Sequence, residues 1–203
     1  MTAAGKVIVG FSAPYVGLYK GANTYVSGRR LARGVGVSLS VEASDGNVFY
    51  ADNVAAESDE GKFQKGSVKL TVDGLHDDAE RLVYGLPEPE KVTYGENKTV
   101  EVTNYGDNAE APYVGVGYVI KYKSKGVETY QPMILPKTKF ITHGTDAQTQ
   151  EEQSNYQTQD LEATIHRDDS ENHNWKRLFA EQATEAEAVA ILEAMLGVGK
   201  ENA

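Results

Sequence analysis

The sequence predicts a mainly β protein, a β-sandwich or barrel with one short internal helix and one C-terminal helix that flanks the sheet. Three observations predict this class: strand-like alternation recurs along the chain, turn signals separate the strands, and helical patterns occur only twice. About nine or ten strands at this spacing are typical of a sandwich or barrel. At 203 residues the chain is long enough for one well-buried domain spanning 1–203.

The most regular pattern is Ala111–Thr142, two long alternating strands joined by a short basic turn that contains glycine. Apolar residues alternate along one face of the first strand, from Val114 to Tyr122. The opposite faces carry glycine, tyrosine and lysine, and we expect them to be free. Gly115 and Gly117 lie inside a strand, so we expect them to admit a backbone or a tyrosine ring and not to cradle a phosphate.

Shorter strand patterns surround this pair. The alternation at 35–43 runs into Asp45-Gly46, a hairpin turn signal, and predicts a return strand at 48–51. A further alternation at 68–72 ends before Asp73-Gly74. The remaining predicted strands are Lys6–Phe11, Tyr25–Ser27, Thr99–Thr103, Lys139–Thr142 and Leu161–His166.

Two helices are predicted. Asp77–Tyr84 begins with acids and ends before Gly85. Thr184 and Glu187 form a capping-box pair at the start of the second helix. This helix presents one apolar stripe that ends at Gly197 and consists of Ala188, Ile191, Leu192, Met195 and Leu196. We expect the stripe either to pack on its own domain or to join subunits.

The charge balance limits the partners of the chain. Thirty acidic and twenty basic residues give a net charge of −10, whereas phosphate binding requires clustered Lys and Arg. We expect no binding to the outside of nucleic acid, although a negative wall would let nucleic acid pass without being trapped. Residues 20–33 carry four bases and no acid, and residues 121–139 carry five bases and one acid. These stretches are either solvated surface or complements to acidic loops such as 57–60 on a neighbouring copy.

Residue usage also bears on location. The chain has no cysteine, which fits folding in a reducing cytoplasm. The N-terminal residues lack a signal-peptide pattern, and no apolar run is long enough to cross a membrane. We therefore expect a protein that is cytoplasmic when made, with no export route and no membrane partner. The twelve tyrosines fit either strand propensity or surfaces that a partner buries.

No residue pattern indicates a catalytic, metal or cofactor site. His166 and His173 flank three acids, but the spacing matches no zinc or calcium pattern, so we expect a solvated loop there. The chain lacks a Gly-x-Ser-x-Gly motif and a cysteine nucleophile. Thirty acids leave a carboxylate pair for hydrolysis open, yet none stands in an aromatic context. We expect no enzyme activity and no cofactor.

Several segments together resemble the major tail proteins, or tail-tube proteins, of long-tailed bacteriophages that infect Gram-positive bacteria. The matching stretches are VFYADN at 48–53, GSVKLTVDGL at 66–75, VYGL at 83–86, APYVGVGY at 111–118, MILPKTKF at 133–140, QDLEATI at 159–165 and ATEAEAVAILEAMLG at 183–197. Their order and spacing carry the resemblance, which covers most of the chain from about Val35 onward.

The resemblance implies a structural virion protein with a tail-tube-like β-sandwich or barrel. In that family, hexameric rings join their sheets edge to edge into an inner β-barrel, and the rings stack into a tube. DNA passes through the lumen without specific binding, and tape-measure and tail-terminator proteins are further partners. The chain would be made in the host cytoplasm and would reside in the phage tail.

The resemblance also implies where copies meet. It implies an N-terminal arm at about residues 1–30 and an inter-ring loop at about residues 53–62, with the candidate residues Asn53, Glu57, Asp59 and Glu60. An acidic lumen wall would repel phosphate. The lumen-facing candidates are Glu42, Asp73 and Glu101.

A second class of function stays open, a carbohydrate- or receptor-binding β-sandwich module, which the tyrosine content favours. Such modules present a planar aromatic platform in which tryptophan is prominent, whereas this chain has only Trp175.

Overall fold

The computed structural model describes residues 5–44, 48–51, 54–58, 62–142, 144 and 157–201. The helices are α1 (Asp77–Tyr84) and α2 (Glu185–Leu196). The strands are β1 (Val7–Gly21), β2 (Thr24–Arg30), β3 (Gly34–Ala43), β4 (Val48–Ala51), β5 (Val54–Ser58), β6 (Phe63–Val72), β7 (Glu90–Tyr94), β8 (Lys98–Val102), β9 (Tyr113–Ser124), β10 (Val127–Phe140), β11 (Gln159–His166) and β12 (Arg177–Leu178).

One large antiparallel sheet organises the described chain. Its strand order is β2-β1-β9-β10-β11-β6-β3, and β12 pairs with β10 as the eighth strand. The hairpins β4–β5 and β7–β8 form two separate two-stranded sheets. The protein is therefore mainly β with two helices, as the alternation and turn signals predicted.

The large sheet bends over its own core. Strands from both of its halves contribute to one buried cluster, which includes Val16, Val116, Leu135, Leu70 and Leu161. β1 and β3 are far apart in strand order, yet a Cβ built on Gly34 would lie 2.3 Å from the Phe11 ring. The two halves of the sheet thus face each other, which is consistent with a β-sandwich.

Helix α2 covers the outer face of β1, β2, β9 and β10. Leu192 and Leu196 are fully buried there in a second apolar cluster. A Cβ on Gly117 would lie 2.8 Å from Leu196, and a Cβ on Gly115 would lie 2.4 Å from the Tyr25 ring. The prediction that a backbone or a tyrosine ring approaches these glycines is confirmed for Gly115, whereas leucine side chains approach Gly117. The prediction that this face of β9 is free is wrong. Gly115 and Gly117 have no side chains, and α2 packs into the space that this leaves.

Both helices have the predicted ends. The Thr184 side chain accepts a hydrogen bond from the Glu187 amide, and the Glu187 side chain accepts one from the Thr184 amide, which completes the capping box. Gly85 and Gly197 adopt left-handed conformations after the last helical residues. Met195 belongs to the predicted apolar stripe but is 41% exposed, so the buried seam is narrower than expected.

The hairpin predicted through Asp45-Gly46 is wrong. β3 pairs with β6, with Val37 opposite Leu70 and Leu39 opposite Val68, and β4 pairs with β5 instead. A ten-residue strand with matching apolar positions buries more surface beside β3 than the four-residue β4 could.

Residues 7–30 of the predicted N-terminal arm form β1 and β2 of the large sheet. β1 pairs with β9 over most of its length, and Val16 is fully buried in the core. This segment is part of the folded subunit, and a role for it between copies stays a prediction.

Candidate assembly surface

The large sheet ends in two edge strands of unequal accessibility. The outer edge of β2 is partly occupied, because the Ser27 amide donates to the Lys200 carbonyl (2.7 Å) and the Gly28 amide donates to the Gly197 carbonyl (3.0 Å). β3 is ten residues long and, among the described strands, pairs with β6 alone. An unpaired strand edge is a template for pairing with another chain. The edge of β3 is therefore the more open of the two.

The strands next to this edge carry a polar face that helix α2 does not cover. β11, β6 and β3 alternate in register, and their apolar side chains point into the core. The opposite side, which we call the polar face, is formed by Ser38, Ser40, Glu42, Lys65, Ser67, Lys69, Thr71, Asp160, Glu162 and Thr164. Helix α2 covers β1, β2, β9 and β10 and does not extend over this half of the sheet.

Charges on the polar face are largely paired with one another. Lys69 Nζ lies 2.8 Å from Asp160, and Thr71 Oγ1 donates to the same carboxylate at 2.7 Å. These hydrogen bonds, first that from Lys69, hold the pKa of Asp160 below its ordinary value. Lys65 lies 3.1 Å from Glu42. Three acids and two lysines leave this face with a net charge of −1. It offers no surplus of basic side chains for binding phosphate.

The structure does not gather the three predicted lumen acids. Glu42 lies on the polar face. Asp73 follows β6 at the other end of the β3–β6 pair, where the Arg33 side chain and amide donate to it and lower its pKa. Glu101 lies on β8 in a separate hairpin, opposite Lys91. Glu42 and Asp73 are roughly 25 Å apart along the strand pair, at about 3.3 Å per residue.

Two acids of the polar face were missing from the sequence prediction. Asp160 and Glu162 alternate on β11 with the buried Leu161 and Ala163. The segment was recognised as a strand, and its alternation already separates the acids from the apolar residues. The sequence does not show which strand pairs with β11. Only the pairing of β11 with β6 puts these acids beside Lys69.

The predicted inter-ring loop at 53–62 contains a strand. β5 pairs with β4, and Glu57 lies opposite Phe49 in that register. Asn53, Asp59 and Glu60 lie outside the described residues. The Ser44 amide donates to the Lys62 carbonyl at 2.8 Å, so the chain leaves the large sheet and returns to it at neighbouring points. A role of this segment between rings stays a prediction.

The histidine-flanked acidic loop is more ordered than the sequence predicted. Asp168 is buried, and its carboxylate accepts hydrogen bonds from the Ser170 amide and hydroxyl. The Asn174 carbonyl accepts from the Asp168 amide at 2.9 Å. Within the described ranges, no group of three or more His, Asp and Glu side chains could hold a metal ion. These polar contacts stabilise the loop locally.

One cleft in the described part of the chain is lined by basic and aromatic side chains. It measures about 460 Å³, and its lining includes Phe63, Tyr113, Lys137, His166 and Arg167, with no Asp or Glu. Hydrolysis by paired carboxylates requires two acids across such a cleft. The lone tryptophan stacks its ring on the Phe63 ring at 4.9 Å between centroids, so one of its faces is already covered.

Comparison with known families and with curated proteins found no match for this chain. In the part of the chain that the structure describes, we find no helix with the length and apolarity needed to cross a membrane.

Proposed function

We propose that this chain is a structural protein whose copies assemble into stacked hexameric rings, forming the tail tube of a bacteriophage. The observation that carries the proposal is the open edge of β3, which borders the polar face. The distributed resemblance to major tail proteins supports the same assignment. Edge-to-edge pairing uses backbone groups that a single copy leaves unsatisfied.

The two end strands of the large sheet, β2 and β3, differ in how far their edges are already occupied, and ring formation uses this difference. The β3 side of one copy meets a different surface of the next copy, so the contact is heterologous and closes into a ring when its rotation permits. The sheets of successive copies then form a continuous wall. The polar face of β3, β6 and β11 lines the lumen, because it is the part of the sheet that α2 leaves uncovered.

The chemistry of that face suits passage of DNA. Lys65 and Lys69 are each held by a carboxylate, and the remaining side chains are mainly hydroxyls and Glu162. A lumen that binds phosphate through free lysines would trap DNA, whereas paired lysines and a slight negative excess would not. DNA therefore transits without specific binding.

Electron microscopy of the purified protein at high concentration, alone and with other tail components, tests the proposal. We expect rings or tubes, at least when an initiating tail protein is present. Monomers under every salt condition and with every tail component would contradict it. Saturable binding in a glycan screen by such monomers would favour the carbohydrate-binding alternative instead.

A paired substitution tests the role of the edge strand. Ser38→Lys with Ser40→Lys puts two lysines on β3, and lysines on an edge strand oppose pairing with another sheet. We expect this variant to remain folded and to lose rings. Ala190→Lys with Ala194→Lys on the exposed side of α2 adds the same charge and is the matched control. Equal ring yields for both variants would exclude β3 as the contact edge.

A further inference from the structure

The β7–β8 hairpin carries an exposed apolar face. Its register pairs Val92 with Val100 and Tyr94 with Lys98, so these side chains share one side of the ribbon. Val92, Tyr94 and Val100 are 43%, 54% and 47% exposed. Among the described strands, the hairpin pairs with no third strand. A two-stranded ribbon is marginally stable in water on its own. In most sheets the apolar face of a strand is buried against a core, whereas the apolar face of this hairpin is exposed.

Further exposed apolar side chains lie where β1 begins and β9 turns into β10. Val7, Ile8 and Val127 are 62%, 63% and 64% exposed, the highest values among the large apolar side chains that the structure describes. All three lie at this end of the sheet, and strand alternation puts Ile8 and Val127 on one face and Val7 on the other. We call this end of the sheet, with Lys6, Lys121, Lys123 and Lys125, the basic tip.

The two surfaces lie at opposite ends of β9. The basic tip is at the C-terminal end of this strand, and the hairpin excursion returns just before its first residue, Tyr113. A Cβ on Gly85 would touch the Glu110 carbonyl, so the excursion leaves and returns at one point. β9 has 12 residues, which separates its ends by about 36 Å. Two complementary surfaces so placed produce a head-to-tail contact that repeats without closing on itself.

The charges of the two surfaces are opposite. Residues 86–110, which contain the hairpin, hold six acids and two bases. Glu88 pairs with Arg81 and Glu110 pairs with Lys139, so the other four acids and two bases leave a net charge of −2. At the basic tip, Lys121 pairs with Glu128 at 2.7 Å and Lys6 pairs with Glu181. Lys123 and Lys125 then leave a net charge of +2. When the hairpin of one copy meets the basic tip of another, apolar residues ringed by acids would meet apolar residues ringed by bases.

We propose that the apolar face of the β7–β8 hairpin binds the basic tip of a second copy of this chain, and that this contact stacks one ring on the next. The inference rests on the proposed tube assembly, and it names the two surfaces that meet along the tube axis. Val92, Tyr94 and Val100 of one copy cover Ile8 and Val127 of the next. Acids of the hairpin segment lie opposite Lys123 and Lys125.

Site-specific cross-linking tests the contact directly, since the chain has no native cysteine. A Val92→Cys chain and a differently tagged Val127→Cys chain are mixed and treated with a short thiol cross-linker. We expect mixed dimers to dominate over dimers of either chain with itself. The control replaces Val92→Cys with Thr99→Cys, which lies on the opposite side of the hairpin, and should give few mixed dimers. Equal yields for the two pairs would overturn the inference.

Charge substitutions separate stacking from ring formation. We expect Val100→Glu to weaken stacking about tenfold, equivalent to ~1.4 kcal/mol, while rings still form and Thr99→Glu behaves like the wild type. Lys123→Glu with Lys125→Glu should have a similar effect, and adding Glu90→Lys with Glu96→Lys should restore tubes. A merely destabilised fold would not be rescued in this way.

The outcomes distinguish the two proposals. Normal tubes from Val100→Glu and from Lys123→Glu with Lys125→Glu would refute the hairpin contact and leave the tube function standing. Specific Val92–Val127 cross-links without rings in any condition would refute the ring assembly and keep the contact between copies.

Discussion

The close packing of α2 on the sheet predicts that one added methyl group at Gly17 destabilises the protein. A Cβ at this position would lie 2.3 Å from the Leu196 carbonyl oxygen and 3.1 Å from its carbon. An ordinary carbon–oxygen contact is about 3.3 Å or longer, so the end of the helix must move by about 1 Å. Both contacted atoms belong to the backbone, and no side-chain rotation relieves the clash.

The expected magnitude follows from this displacement. Overfilling a packed interior costs about 1–3 kcal/mol. The displaced end of α2 carries the fully buried Leu196, and Leu192 lies one turn before it. For a chain of this size, 1 kcal/mol corresponds to about 2–4 °C in Tm. We therefore expect Gly17→Ala to lower Tm by about 2–12 °C.

Gly36→Ala is the matched control in the same sheet. A Cβ there would lie 3.8 Å from the nearest atom, Thr71 Cβ, which is an ordinary contact. Replacing glycine without strain stabilises by about 0.4–1 kcal/mol, because the unfolded chain loses freedom. Urea unfolding of both variants, followed by circular dichroism, compares their free energies of unfolding. Equal stability of Gly17→Ala and the wild type, or an equal loss in Gly36→Ala, would refute the packing argument.

Three further predictions concern the helix cap, an ion pair and the β4–β5 hairpin. Thr184→Ala removes the capping box and should cost about 1 kcal/mol in urea unfolding, whereas no loss would show that the cap is dispensable. Hydrogen bonds from Lys137 and Tyr19 lower the pKa of Asp169 from 3.8. The unfolded chain binds this proton at a higher pH than the folded chain does. The stabilisation from the ionised Asp169 is therefore complete above its unfolded pKa of 3.8, and it is lost as pH falls through the lowered pKa of the folded chain. The stability difference between the wild type and Asp169→Asn should accordingly shrink in acid, and a constant difference would contradict the linkage. Replacing residues 45–61 with Asn-Gly should leave the thermal unfolding of the large sheet unchanged and block stacking in electron micrographs; normal tubes would remove this segment from the inter-ring contact.

Local patterns sufficed to predict which segments are helices and strands. The bounds of α1 and the capping box of α2 follow from residues within one turn of each helix end. The glycines at 115 and 117 were recognised as sites of close approach, because glycine inside a strand often marks a place where another group comes close.

Pairing between distant segments was not predictable in the same way. A turn signal at Asp45-Gly46 is local, and the pairing of β3 with β6 is decided by apolar positions about thirty residues apart in the chain. Glu42 was named from the sequence as a lumen candidate and lies on the polar face, and its role there stays a prediction. Placing Asp160 and Glu162 on the same face required the register of β11 on β6.

The sequence by itself therefore determined the β class, the two helices with their ends, and an acidic chain without a recognisable catalytic pattern. Tertiary structure alone decided that α2 covers one half of the sheet, that lysines on the other half are paired, and that an apolar hairpin and a basic tip lie at opposite ends of β9. The physical reason is range: side-chain alternation and capping act over a few residues, whereas burial and charge pairing depend on which distant strands share a sheet.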